Sequence, residues 1–166
     1  MTTTTFLESL NETIPIEKQT LMLNFLMIFS RFEYALKASG FSSNSVGRVT
    51  ANWDTFIASI KGKFDKNNND QLRKAVDSII QNPPKIQTVK NRQLDWKERD
   101  FSPNDREINR LCLSIRDIRN NFFHGSKFNR NYDRPRNYNL LNHAIIIMNA
   151  WIDLNDTVKR KFLEPI

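Results

Sequence analysis

The sequence predicts an all-α fold, an up-and-down bundle of about five helices formed by a single domain over residues 1–166. Apolar residues recur at intervals of three and four along most of the chain, which is the period of a helix with one buried face. No segment alternates clearly between apolar and polar residues, as a half-buried strand would. Glycine contributes only four residues, whereas an all-β domain needs frequent turns that contain glycine.

The first helix is predicted over residues 15–39. Pro15 and Glu17 suit a first helical turn, because proline needs no hydrogen-bonded N–H there and an acid favours the helix dipole. An apolar face follows at spacings of four, three, four and four, formed by Leu21, Phe25, Ile28, Phe32 and Leu36. Gly40 followed by Phe41 predicts a C-terminal cap with a hydrophobic contact.

Two shorter helices are predicted next, the first capped by Asn52 and the second ended by Pro83-Pro84. The apolar positions of the first are Trp53, Phe56, Ile57, Ile60 and Phe64, and those of the second are Leu72, Ala75, Val76, Ile79 and Ile80. A turn at Asn67-Asn68-Asn69 separates them.

Two segments show no helical period. Residues 1–13 are expected to be flexible, and residues 83–101 are expected to form a long basic connector that carries Trp96. Connectors of this length are usually functional or mobile. The second segment is therefore interpreted either as a lid or RNA-contacting strap, or as a plain connection.

The fourth helix has a strong start signal, since Ser102-Pro103-Asn104-Asp105 combines a serine cap, a proline at the first helical position and an acid three residues after the cap. Its apolar face contains Ile108, Leu111, Ile115, Ile118 and Phe122, and Gly125 ends it. A polar, basic turn over residues 126–136 follows. The fifth helix contains Leu141, Ala144, Ile145, Met148, Trp151, Ile152 and Val158.

Positive charge is concentrated in the second half of the chain. The formal net charge is +7, of which residues 1–84 carry +1 (9 basic less 8 acidic) and residues 85–166 carry +6 (16 less 10). Residues 106–136 alone carry +5, from 8 basic and 3 acidic residues. A local positive field attracts polyanions such as nucleic acid, although a solvated basic surface has the same composition.

Cysteine and histidine usage limits the classes of function. Cys112 is the only cysteine, so the chain forms neither an internal disulfide nor a multi-cysteine zinc site. With two histidines and no clustered ligand spacing, we expect no metal and no other cofactor. Residues 1–5 lack the basic start of a secretory signal, and the apolar stretch over residues 21–29 is too short to span a membrane. We therefore expect a cytoplasmic protein with no membrane partner.

The most informative segment covers residues 116–125, RDIRNNFFHG, at the end of the fourth predicted helix. Arg119 is followed directly by the polar residue Asn120, and four residues separate Arg119 from His124. This arrangement resembles the HEPN signature, which is an arginine, then a polar residue and, a few positions later, a histidine. The resemblance extends to the architecture, because HEPN domains are helical bundles with this motif near the start of the C-terminal half.

The resemblance implies an endoribonuclease that cuts RNA without a metal and leaves a 2′,3′-cyclic phosphate and a 5′-hydroxyl. It also implies a homodimer in which two motifs line one cleft, and a role as a toxin-antitoxin or phage-defence effector with a possible cognate antitoxin protein. Some HEPN toxins carry a tyrosine two residues after the histidine, which an antitoxin modifies. Ser126 occupies that position here, so that mode of neutralisation is in doubt.

The residue types of the motif suit RNA cleavage by the substrate's own 2′-hydroxyl. One group must accept the proton of that hydroxyl, another must protonate the leaving 5′-oxygen, and a cation must stabilise the crowded phosphate. Histidine exchanges protons near neutral pH, and the planar fork of arginine matches a phosphate. Arg119 and His124 are therefore predicted as the catalytic pair, with Asn120 to orient the imidazole or a phosphate oxygen. Residues five apart do not share a face of a straight helix, so the pair meets only through a distorted last turn or a second copy of the chain.

Further residues are predicted to support this site. Glu33 lies at the edge of the apolar face of the first helix, where a carboxylate is costly without a cation. Its expected partner is Arg119 or Arg116, and the alternative is a partly exposed acid. RNA-binding residues are expected on the turn after the motif, namely Lys127, Arg130, Arg134 and Arg136 for phosphates and Tyr132 for stacking on a base. The alternative is a solvated basic loop, and His143 is expected on the surface.

Two other functions remain open. A non-catalytic HEPN-like module would bind RNA, a nucleotide or a protein partner without cutting RNA. A helical DNA-binding regulator would need a recognition helix, and no segment has that character.

Overall fold

Helices account for 67% of the described residues, and a two-stranded sheet is the one sheet in that part of the chain. In the computed structural model the described residues are 3–44, 46–123 and 134–165. The helices are α1 (Thr3–Thr13), α2 (Ile16–Ala38), α3 (Trp53–Ile60), α4 (Asp70–Gln81), α5 (Glu107–Phe123), α6 (Arg134–Asp153) and α7 (Asp156–Leu163), and the strands are β1 (Ile86–Lys90) and β2 (Gln93–Lys97). The prediction of a mostly helical fold is therefore confirmed, whereas the sheet is not part of that prediction.

Helix α2 keeps close to its predicted limits, because its C-terminal end carries a specific local signal. Gly40 has φ +85°, and the N–H of Phe41 donates to the carbonyl of Leu36 at 2.9 Å while that of Gly40 donates to Lys37 at 3.4 Å. These two bonds form the Schellman motif. Glycine is suited to its left-handed position, since a Cβ atom there is disfavoured.

Helix α1 lies in the segment expected to be flexible. None of its residues is buried, and Phe6 and Leu7 are 47% and 52% exposed. This helix is not among those that the sequence predicts. Because this helix buries no side chain, its sequence was under no requirement to show a clear apolar face.

The connector over residues 83–101 contains a β-hairpin, so the expectation of a chain without strands is wrong. Strands β1 and β2 are antiparallel, with Ile86 opposite Lys97 and Lys90 opposite Gln93. Asn91 and Arg92 form the turn with φ +51° and +63°, the left-handed pair that a tight hairpin turn requires. The strand residues are half-buried or exposed and mostly polar, so they show too little alternation for detection.

Two helix limits also differ from the predictions, in both cases because a polar side chain bonds to the backbone. The carboxylate of Asp105 accepts the N–H of Ser102 at 2.9 Å, so the start signal closes a separate turn and α5 begins later, at Glu107. The predicted fifth helix is divided into α6 and α7. The side chain of Asn155 accepts the N–H of Val158 at 3.1 Å and starts the second of them.

The core is formed mainly by α2 and α6, which pack on each other, with α4 on α6 and α7 on α2. Aromatic rings fill one part of it, since Phe32 lies edge-on to Trp53 at 5.2 Å and to Phe56 at 5.3 Å. Helix α5 packs against α3, α4, α6 and β1, so neighbours on several sides fix the helix that carries the sequence motif.

Within the described ranges, no helix combines the length and hydrophobicity needed to cross a bilayer.

Candidate functional site

The sequence motif lies partly inside and partly outside the described residues. Arg116, Arg119 and Asn120 lie in the last turns of α5. His124, Lys127, Arg130 and Tyr132 lie outside the described residues, as does the side chain of Arg134. The described part of the motif therefore consists of its α5 residues and the elements packed around them.

Arg119 is held by two aromatic rings and by its neighbour. Its guanidinium carbon lies 5.8 Å from the ring centroid of Phe29 on α2 and 5.8 Å from that of Phe123 on α5. Its Nη1 donates to Oδ1 of Asn120 at 3.0 Å. Aromatic faces attract a cation and restrict its side chain, and a guanidinium has five N–H donors. Arg119 is thus positioned while most of its donors remain for a ligand.

The contact with Arg119 also fixes the orientation of Asn120. A guanidinium can only donate hydrogen bonds, so the amide oxygen of Asn120 must face Arg119 and its NH₂ group must point away. Asn120 is exposed and lines two cavities. It is therefore the residue that connects them.

The smaller cavity has a volume of about 130 Å³. It is lined by Phe29, Glu33, Arg116, Arg119 and Asn120. The structure thus brings Glu33 together with both of its predicted partners. Among the described residues, however, Glu33 forms no ion pair with them, and its Oε1 accepts the indole N–H of Trp53 at 3.2 Å. Two guanidinium groups and one carboxylate around so small a space suit a small, singly charged anionic group such as a phosphodiester.

The larger cleft has a volume of about 380 Å³ and lies between α5 and the hairpin. It is lined by Ile86, Gln87, Arg99, Asp117, Asn120 and Asn121. Asp117 is only 6% exposed, and both of its oxygens accept from Arg99, Oδ2 from Nε and Oδ1 from Nη2 at 2.6 Å. These hydrogen bonds raise the pKa of Arg99 above its ordinary value, so the guanidinium stays charged.

A second contact joins α5 to the hairpin. Asn121 is 5% exposed, and its Nδ2 donates to the backbone carbonyl of Lys85 at 2.7 Å. Sequence reasoning did not identify Arg99, Asp117 or Asn121 as site residues. The sequence does contain a signal for two of them, because Asp117 and Asn121 lie on the side of α5 that is buried. Buried carboxylates and carboxamides need polar partners.

Other chemistry-bearing groups are poorly suited to reaction. Burial raises the pKa of the Cys112 thiol to about 12, against a smaller lowering effect of Arg116, so Cys112 stays protonated and is not a nucleophile at neutral pH. In the described ranges, no group of three or more His, Cys, Asp or Glu residues is arranged to hold a metal ion.

Two further predicted residues lie on α6. Arg136 donates from Nη2 to the carbonyl of Pro83 at 2.9 Å, a contact that joins α6 to the end of α4. His143 is half-buried rather than on the open surface, and burial lowers its pKa. Neither residue lines the two cavities at the end of α5.

Comparison of the chain with protein-family models, with curated proteins and with solved structures found no match. Function is therefore inferred from the sequence motif and from the geometry around it.

Proposed function

We propose that this chain is a metal-independent endoribonuclease in which Arg119 and His124 are the catalytic pair and Asn120 assists them. The observation that carries this proposal is the arrangement of Arg119. Its guanidinium lies close to two aromatic rings, is hydrogen-bonded to Asn120 and shares a cavity with Arg116. Such a group binds a phosphodiester with little reorganisation, which is what stabilisation of a charged transition state requires.

The reaction uses the 2′-hydroxyl of the substrate as nucleophile. Its oxygen forms a bond to phosphorus, the bond from phosphorus to the 5′-oxygen breaks, and the products are a 2′,3′-cyclic phosphate and a 5′-hydroxyl. A base accepts the 2′-hydroxyl proton and an acid donates a proton to the 5′-oxygen, and histidine suits either role. Arg119 and Arg116 neutralise the phosphate, while the amide oxygen of Asn120 accepts a hydrogen bond from Arg119 and so holds the guanidinium in place against a non-bridging oxygen.

A homodimer and an RNA partner complete the proposed function. A second copy supplies a second imidazole, so that one His124 acts as base and its counterpart as acid. The net charge of +5 over residues 106–136 favours a polyanionic substrate. By its HEPN-like motif the protein would act in the cytoplasm as a toxin-antitoxin or phage-defence effector, with a cognate antitoxin protein as a further partner.

The first experiment offers purified protein single-stranded RNA in the presence of EDTA. We expect cleavage that continues in the chelator, products with a 2′,3′-cyclic phosphate, and no cleavage of a substrate with 2′-deoxyribose at the cut position. Activity that EDTA abolishes and magnesium restores would contradict the proposal. RNA binding without cleavage would instead support a non-catalytic module.

Variants then test the two residues. Arg119→Ala is expected to lower kcat by about 10²–10³-fold through loss of phosphate stabilisation. His124→Ala should lower it by about 10²–10⁴-fold through loss of proton transfer. The matched controls are Arg73→Ala, an exposed arginine on α4 that pairs with Asp70, and His143→Gln on α6. Circular dichroism and thermal melting of each variant separate loss of chemistry from loss of fold.

A further inference from the structure

Apart from Asn120, the residues that line the cleft between α5 and the hairpin have no part in the proposed chemistry. We infer that the cleft is a nucleobase-binding subsite for single-stranded RNA, which holds the base beside the scissile phosphate. This inference rests on the nuclease function proposed above and names the part of the substrate that the site would recognise.

The position of the cleft follows from its shared residue. Asn120 lines both the cavity that contains Arg116 and Arg119 and the cleft that contains Gln87 and Arg99. In a nucleotide the base and the phosphate are joined through one ribose, so a base subsite must adjoin the phosphate subsite. The amide of Asn120 spans that boundary, with its oxygen toward Arg119 and its NH₂ group pointing away from it.

The lining of the cleft matches the edge of a base. Gln87, Asn120 and Asn121 each carry a carboxamide, which offers both donors and acceptors, as base edges do. Arg99 directs Nε and Nη2 to Asp117, and its Nη1 has no partner among the described residues. Ile86 adds an apolar wall for the flat face of a ring. A volume of about 380 Å³ falls within the range of small-ligand sites.

The cleft is held in shape from both ends of the hairpin. Lys85 precedes β1 and bonds through its carbonyl to Asn121, while Arg99 follows β2 and bonds to the buried Asp117. Both anchors are on α5, so the position of Gln87 relative to Asn120 is fixed before a ligand binds. Preorganisation of this kind lowers the entropic cost of binding and sharpens discrimination between ligands.

The hairpin also provides a path for neighbouring nucleotides. Side chains alternate along a strand, so Val89 lies on the same face as Gln87, and its register partner Leu94 lies beside it. These two apolar residues are 70% and 71% exposed. Lys90 and Arg92 follow at the turn and add positive charge. Apolar contact for bases beside cations for phosphates is typical of surfaces that bind unpaired RNA.

The test is a cleavage assay on single-stranded RNA with randomised positions, in which the cut ends are sequenced. The wild-type protein should prefer certain bases at a position next to the cut. Gln87→Ala should reduce this preference by roughly tenfold and raise KM more than it lowers kcat. The matched control is Gln93→Ala, because Gln93 is exposed on the opposite face of the same hairpin. If Gln87→Ala cuts with the wild-type base preference and KM, the subsite is refuted while the nuclease proposal stands.

A binding experiment decides the subsite independently of cleavage. The four nucleoside 3′-monophosphates are titrated into the protein while the side-chain amide resonances of Gln87, Asn120 and Asn121 are followed by NMR. Shifts that saturate, differ among the four bases and weaken in Gln87→Ala support the subsite even if the protein cuts no RNA. Titrations in which these resonances do not move for any base overturn it.

Discussion

At the scale of single residues, Asp117 is a buried carboxylate on α5. Its carboxylate is only 6% exposed, and a buried charge without a partner is strongly unfavourable. Arg99 binds both of its oxygens across 18 positions of sequence. The pair thus replaces the water that the carboxylate loses and at the same time attaches the end of β2 to the motif helix.

Removal of Arg99 should therefore destabilise the fold. Arg99→Met leaves Asp117 buried without its cation, and we expect the free energy of unfolding to fall by about 3 kcal/mol. Lys97→Met is the matched control, because Lys97 pairs with Asp100 at 2.5 Å in an exposed position. For this variant we expect the free energy of unfolding to fall by only about 0.5 kcal/mol. Urea denaturation of both variants gives the comparison. Equal losses for the two variants would show that the Arg99–Asp117 pair has no special role.

The candidate site could be predicted from sequence only where its residues are local. Arg119 and Asn120 are adjacent, and the spacing of their motif identifies them from the sequence without the structure. Glu33 is identified from its place at the edge of an apolar face, yet its hydrogen bond goes to Trp53 on α3. Arg99 and Gln87 belong to a segment with no periodic signal, so their approach to α5 depends on tertiary packing that no local pattern contains.

At the scale of secondary-structure elements, the hairpin depends on its turn. Asn91 and Arg92 both have positive φ. Asparagine tolerates this conformation, whereas it is unfavourable for arginine. The end of α2 was predictable because Gly40 occupies its left-handed position with the residue type that suits it. The hairpin was missed for the opposite reason, since Asn-Arg is not a strong turn signal.

Arg92→Gly should strengthen the hairpin. The substitution creates Asn-Gly, the preferred pair for this turn, and relieves the left-handed strain at position 92. Against the entropy that glycine adds to the unfolded chain, we expect a net gain of about 0.5 kcal/mol in the local stability of β1 and β2. Hydrogen exchange of the strand amides measures this. The control is Lys90→Gly, because Lys90 is a paired strand residue and glycine weakens a strand. This variant should speed up amide exchange in the hairpin. Slower exchange in Lys90→Gly would contradict the argument from the turn.

At the scale of the whole molecule, the proposed chemistry requires an arginine and a histidine at one phosphate. A single chain with a straight helix cannot place Arg119 and His124 together. Arg119 and His124 are five residues apart, which is about 140° around a helix with about 100° per residue. The described part of α5 ends at Phe123, and Arg119 has its guanidinium on the side of Phe29 and α2. A two-fold axis that relates two motifs would place the imidazole of one protomer near the guanidinium of the other.

Complementation between two inactive variants tests this arrangement. Arg119→Ala and His124→Ala are each expected to be inactive, but when the two chains are co-expressed with different tags, about half of the dimers should contain one of each. In such a heterodimer one intact Arg119 faces one intact His124, while the second imidazole is missing and water must take over its proton transfer. RNA cleavage should therefore return only to a measurable fraction of the wild-type rate in the doubly tagged material. The control replaces the His124→Ala chain with the double variant Arg119→Ala/His124→Ala. This leaves no intact Arg119 in the dimer, so no activity should return.

Sedimentation of the wild-type protein gives the stoichiometry. Heterodimers that are no more active than their parents, or a wild-type protein that cuts RNA as a monomer, would show that each chain builds its active site alone.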